Sequence, residues 1–171
     1  MPFDYYQRLS ARNQRIYRES DGIVQVVLPR ADLLFPFVAL LREALAQDLR
    51  RDVEAAAGRL VLGMTEMLEV PLVQVQVLAV RPSLRYGELH GLYTNDPPRP
   101  PHIQVWMRTA RHRRVVAFRT FLRTLLHEVG HHLDYTHLKL ADSFHTEGFF
   151  KRESSLFYQL VPKPAVRPSG K

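Results

Sequence analysis

The 171-residue chain has no cysteine. Disulfides and thiolate metal sites are therefore excluded, and a reducing, cytoplasmic setting is the compartment this composition suits. Long apolar runs are also missing. "FPFVALL" is among the longest, far short of the roughly 20 residues that a membrane helix requires. The opening stretch, MPFDYYQRLSARNQRIYRE, is polar and charged and does not read as a secretory signal. No internal repeat is visible. Acidic residues are the minority charge, 17 against 24 Lys plus Arg, leaving a net charge of +7. Solubility alone accounts for such an excess; an acidic partner, nucleic acid included, is the sharper alternative.

What is present is the material of a globular domain. Hydrophobic residues make up 46% of the chain, enough for one core at this length. Residues 4–19 read as a polar helix, and residues 23–28 as a strand or extended lead-in. From 31 to 68 the pattern is helical: Val53, Ala57, Leu60, Met64 and Met67 recur every three or four residues, in two helices or one bent one. The period then changes to two. Val73, Val75 and Val77 alternate with Gln74 and Gln76 in a half-buried strand. A second strand is expected over 88–94. A third follows, with Ile103, Val105 and Met107 on one face. A long amphipathic helix comes next, and a last helix from about 146 to 160. The order predicts an α+β fold with a small sheet of about three strands, mostly antiparallel or mixed. The expected organisation is a single domain over 1–162, helical in 1–68 and holding the sheet and catalytic part in 69–162. Residues 163–171 read as a flexible basic tail.

The chemistry concentrates in HEVGHH, where His127, Glu128 and His131 form HExxH. Residues four apart stack on one face of a helix, so two imidazoles there can grip one metal ion. Glu128 then stands beside the ion, placed to take a proton from a bound water. The helix has a core side: Phe118, Phe121, Leu122, Leu125, Val129 and Leu133 recur at helical spacing. With Phe118 at zero, His127 and His131 fall at about 180° and about 220°, away from that arc. This segment reads as part of a zinc hydrolase, foremost a peptidase; incidental histidines on a polar face are the bland alternative.

A catalytic zinc takes three protein ligands and keeps one position for water. Four residues after His131 compete for the third place. His137 requires a sharp turn where Asp134 stands, a residue less suited than glycine to a left-handed conformation. In a continuing helix it lies about 9 Å farther along the axis and points elsewhere. His145 is the choice, because it sits where the last helix begins, after a loop long enough to fold back. Glu153 is the alternative, about 12 Å from His145 along a continuous helix; it either binds directly or orients a ligand. Asp142 comes last. Glu147 and His132 read as exposed or structural.

The pairing of LLHEVGHHLDY with a downstream HTEGFF resembles the SprT-like and WLM-type zincins and their small bacterial relatives, in which a histidine in an H-(small)-x-x-F context opens the helix after HExxH. His145, Thr146 and Phe149 match that context, and the likeness covers roughly the second half of the chain. It implies a zincin fold, one catalytic zinc, endopeptidase chemistry, and an edge strand that pairs with an extended substrate by strand addition. The linker before His145 is longer than in compact members. No cysteine zinc ribbon follows, so no DNA-repair role carries over.

On this reading zinc lowers the pKa of its water, and Glu128 takes the proton and passes it to the leaving amine. Tyr135, Tyr93 and His90 are candidates for a second oxyanion donor. Gly87 and Gly91 would let a peptide approach the 87–94 edge. The basic connector Arg108, Arg111, His112, Arg113 and Arg114 is either a solvated loop, the preferred reading, or an anion-binding patch. Two competing functions stand beside the peptidase. One is a nucleic-acid- or protein-binding module with a structural or vestigial zinc, which would not need Glu128. The other is a zinc hydrolase of non-peptide amides.

Overall fold

The computed structural model describes residues 2–162, so the expected tail at 163–171 lies outside the described residues. A 3-10 turn over Asp4–Arg8 precedes α1 (Ala11–Gly22), which starts where Ser10 Oγ accepts the Asn13 N–H. The single helix expected over 4–19 is therefore two elements. Residues 23–28 form no strand but an extended segment. Its backbone is satisfied by a side chain: Gln159 Oε1 accepts the Leu28 N–H, and Gln159 Nε2 donates to the Val26 carbonyl, both at 2.8 Å.

Two helices follow a second 3-10 turn at Ala31–Leu34: α2 (Phe35–Ala46) and α3 (Arg50–Met67). The break between them is a Schellman turn. Asp48 adopts φ 57°, while the Leu49 N–H reaches back to the Ala44 carbonyl and the Asp48 N–H to Leu45. The same closure ends α3 at Glu69, φ 53°, with Val70 bonded to Thr65.

The strands are β1 (Gln74–Val80), β2 (Ser83–Leu84), β3 (Gly87–Glu88), β4 (Gly91–Thr94) and β5 (His102–Arg108). The expected second strand is divided. Residues 87–88 turn back on β2 in a small hairpin, with Gly87 at φ 140°, and 91–94 pair with β5 instead. The main sheet has order β1-β5-β4 and is mixed: β5 runs parallel to β1 and antiparallel to β4. The helices α3 and α4 (Phe118–Thr136) pack on it. On the other face, Gln104 donates to Gln76 at 2.9 Å. The core draws on residues from Val26 to Leu160, with Leu60, Met64, Val77, Ile103, Val105, Leu122, Leu125 and Val129 fully buried. At about 25 cal/mol per Å2 of apolar surface removed from water, each large side chain there contributes about 1.5–3 kcal/mol.

The α4 helix places its apolar arc as its periodicity foretells. It continues past His127 and His131, and the left-handed residue falls at Lys139, φ 57°, where the Leu140 N–H bonds the Asp134 carbonyl. Asp134 is therefore inside the helix and not at its turn, which removes the geometry that His137 would need. The last helix, α5 (Glu147–Leu160), is capped by Thr146, whose Oγ1 accepts the Phe149 N–H at 2.9 Å. No helix among the described residues is long and apolar enough to cross a membrane.

Candidate metal centre

One helical turn of α4 presents His127 and His131 to the loop that precedes α5, and that loop brings His145 between them. The His145 Nε2 atom lies 2.9 Å from His127 Nε2 and 3.1 Å from His131 Nε2. The three residues could hold a metal ion, since their ligand atoms all lie within 4.8 Å of one another. His137 is exposed at the C-cap of α4 and takes no part. Asp142 is occupied elsewhere: its Oδ1 accepts the Ser143 N–H at 2.8 Å and the Tyr135 hydroxyl at 3.1 Å. Glu153 is not a member of the cluster but sits behind it, with Oε2 at 3.1 Å from His127 Nδ1.

These outer partners decide the protonation of the rings. A carboxylate only accepts, so His127 Nδ1 carries the hydrogen toward Glu153. The Ser143 hydroxyl gives its single hydrogen to Asp134 Oδ2 at 2.7 Å, and so must accept from His131 Nδ1, also at 2.7 Å. The Nε2 atoms of His127 and His131 both lie close to His145 Nε2. Imidazole nitrogens suit divalent transition metals, and the two separations from His145 Nε2, 2.9 and 3.1 Å, are short enough for one ion to be shared. Burial, then the charges of His127 and His145, pushes His131 down to about 3, and burial also lowers His145, so both rings favour the neutral form that a metal ion requires.

A ring platform underlies the cluster. Phe149 is buried, with its centroid 5.0 Å from His127, 4.8 Å from His131 and 5.3 Å from His145. It comes so close because Gly130 has no side chain; a Cβ there would stand 3.1 Å from the Phe149 ring. The two middle residues of HExxH thus have separate tasks: Val129 packs in the core and Gly130 admits Phe149.

Glu128 is buried against β4. A Cβ on Gly91 would fall 2.6 Å from Glu128 Oε1, so only glycine leaves room for the carboxylate. Burial pushes Glu128 up to about 7, aided by Glu153 and opposed by His127 and by a hydrogen bond from the Tyr93 N–H. A dication nearby would pull it back down. Glu128 and His127 border two hollows that share Gly91. One, of about 370 Å3, is lined by Glu88, His90, Arg123, Thr124 and Glu153; the other, of about 350 Å3, by Leu92, Tyr93, His131, Tyr135, Ser143 and His145.

Two of the three expected oxyanion donors have their hydrogens committed. Tyr93 faces His132 Nδ1 at 3.2 Å, and His132 Nε2 lies 2.7 Å from the Pro71 carbonyl. Since a carbonyl only accepts, His132 donates to Pro71 and Tyr93 donates to His132. Tyr135 donates to Asp142. His90 lines the other hollow. Sequence reasoning missed Ser143, Arg152 and the inward role of Asp134. The three-residue spacing of His131 and Asp134 on one helix face was the available signal. No family model, curated protein or solved structure matches the chain.

Proposed function

We propose that the chain is a zinc-dependent hydrolase and, within that class, an endopeptidase of the zincin type acting in the cytoplasm. The observation that carries this reading is the convergence of His127, His131 and His145 through Nε2, with a buried carboxylate one residue from the first of them. Zinc in such a site supplies a Lewis acid and lowers the pKa of water toward neutrality. The remaining work belongs to side chains. Glu128, in its niche beside Gly91 and next in the chain to His127, stands where it can take a proton from water and return it to a leaving amine. Glu153 and Ser143 hold the ligand rings in register.

An extended peptide suits the surroundings better than a compact amide, because hollows flank Glu128 on both sides. Strand addition supplies the binding. The Trp106 N–H bonds the His90 carbonyl, so by antiparallel alternation Leu92 and Thr94 face β5 while Gly91 and Tyr93 turn their backbone groups outward; the Tyr93 N–H is held by Glu128, which leaves the Gly91 groups and the Tyr93 carbonyl for a peptide. The usable edge is 91–94 and not 87–94, since 87–88 already pair with β2. Nucleic-acid binding draws only on net charge and the exposed residues 111–114; Arg108 is tied to Asp48.

Metal content and peptide-library cleavage of three proteins test the reading. Wild type is expected to bind one zinc and cleave. Glu128→Ala keeps the metal and loses cleavage, and His145→Ala loses most of both. A wild-type protein that takes up no divalent cation, or a His145→Ala variant with full occupancy, overturns it.

A further inference from the structure

The two α4 histidines are supported in different ways. His127 meets Glu153 directly, in a partly exposed contact. His131 meets a neutral hydroxyl, behind which stands a fully enclosed ion pair: Arg152 Nη2 donates to Asp134 Oδ1 at 2.9 Å, with both side chains at most 4% exposed. Arg152 is fixed in turn by the end of α1. Its Nη1 donates to the Ser20 carbonyl at 2.6 Å and to the Ile23 carbonyl, and its Nη2 to Ser20 Oγ at 3.0 Å.

A buried ion pair is no bargain for stability, because desolvation offsets its attraction and apolar residues often serve as well. This one does something an apolar pair cannot. Arg152 occupies one oxygen of Asp134 and leaves the other to take the hydrogen of Ser143. A hydroxyl has only one hydrogen to give, so Ser143 must present a lone pair to His131. Backbone and tyrosine bonds to Asp142 keep Ser143 in place.

We propose that Ser143, Asp134 and Arg152 are positioning residues, a buried relay anchored on the end of α1 that holds His131 in its Nδ1–H tautomer and so presents its Nε2 lone pair to a divalent cation. The proposal rests on the metal-site reading above, yet its first readout needs no metal. Long-range 1H–15N correlation spectra of the metal-free protein report the tautomer of each histidine. Wild type and Ser143→Thr are expected to show His131 protonated at Nδ1 alone, while Ser143→Ala also populates the Nε2–H form.

The second readout is zinc affinity by chelator competition. Ser143→Ala and Asp134→Asn should bind about 10–100-fold more weakly, and Ser143→Thr close to wild type. Thermal unfolding of each metal-free protein separates this loss from a loss of fold, and Ser143→Ala keeps the test decisive where Asp134→Asn does not fold. An Nε2–H tautomer in wild type, or unchanged tautomer and affinity in Ser143→Ala, overturns the relay. A wild type with the Nδ1–H tautomer but no zinc uptake would sink the functional reading and leave the tautomer relay standing.

Discussion

The main sheet has two edges, and they are treated in opposite ways. At β1, two side chains of α3 occupy the outward backbone groups of Val77: Glu54 accepts its N–H and Arg50 donates to its carbonyl, each at 2.8 Å. An edge so stitched offers little to another chain. At β4 no such side-chain pair closes the strand. Glycine replaces a side chain, the Tyr93 N–H goes to Glu128, and the histidine cluster lies alongside. A sheet edge is a liability that folding tends to cover, so the less closed edge, next to a buried carboxylate, is the one to which the proposed strand addition is assigned.

The largest expected effect comes from replacing Glu128, the proton carrier proposed for the β4 edge. Glu128→Gln should cut kcat/KM by about 10^2–10^4-fold, the usual range for a general base, with zinc content unchanged. Steady-state cleavage and metal analysis check it; full activity in this variant would break the contrast between the edges. Next is Gly91→Ala. Its methyl group collides with Glu128 Oε1, and displacement of a reacting group by about 1 Å costs about 10^2-fold, so kcat should fall to that extent while zinc stays bound.

At the stitched edge, Glu54→Ala should leave cleavage alone and lower stability by about 1–3 kcal/mol, because the Val77 N–H of a fully buried residue loses its partner. Denaturant unfolding measures this, and a loss of activity without a loss of stability would contradict it. The smallest effect belongs to Tyr93→Phe. This residue turns its N–H toward Glu128 and its hydroxyl toward His132. Removing the hydroxyl should cost about 1 kcal/mol of stability and leave kcat nearly intact. A large fall in kcat would return Tyr93 to the role of oxyanion donor.

His131 and His132 show how far the sequence could be read. Both are histidines on one helix, adjacent in the chain. The four-residue spacing from His127 singles out His131, and helical geometry alone puts it on the ligand face. The position of His145 at the start of the last helix was legible in the same way, whereas Glu153 stayed open between binding a metal and orienting a ring, and only the tertiary structure puts its Oε2 3.1 Å from His127 Nδ1. The role of His132 was not: its partners, Pro71 and Tyr93, lie 61 and 39 residues away. The division of residues 88–94 was equally hidden. Alternation identifies strand character but not which neighbour a strand takes, and here Gly87 closes one hairpin while β5 claims the rest.

Periodicity, capping and motif spacing act over one or two helical turns, so they sufficed to specify an amphipathic α4 with two imidazoles and a carboxylate on its polar side. Parallel pairing of β1 with β5, the burial of Asp134 against Arg152, and the niche that Gly91 makes for Glu128 depend on segments distant in the chain. Such contacts form only when the core assembles, because each is a matter of a few tenths of an ångström between surfaces that local pattern does not bring together.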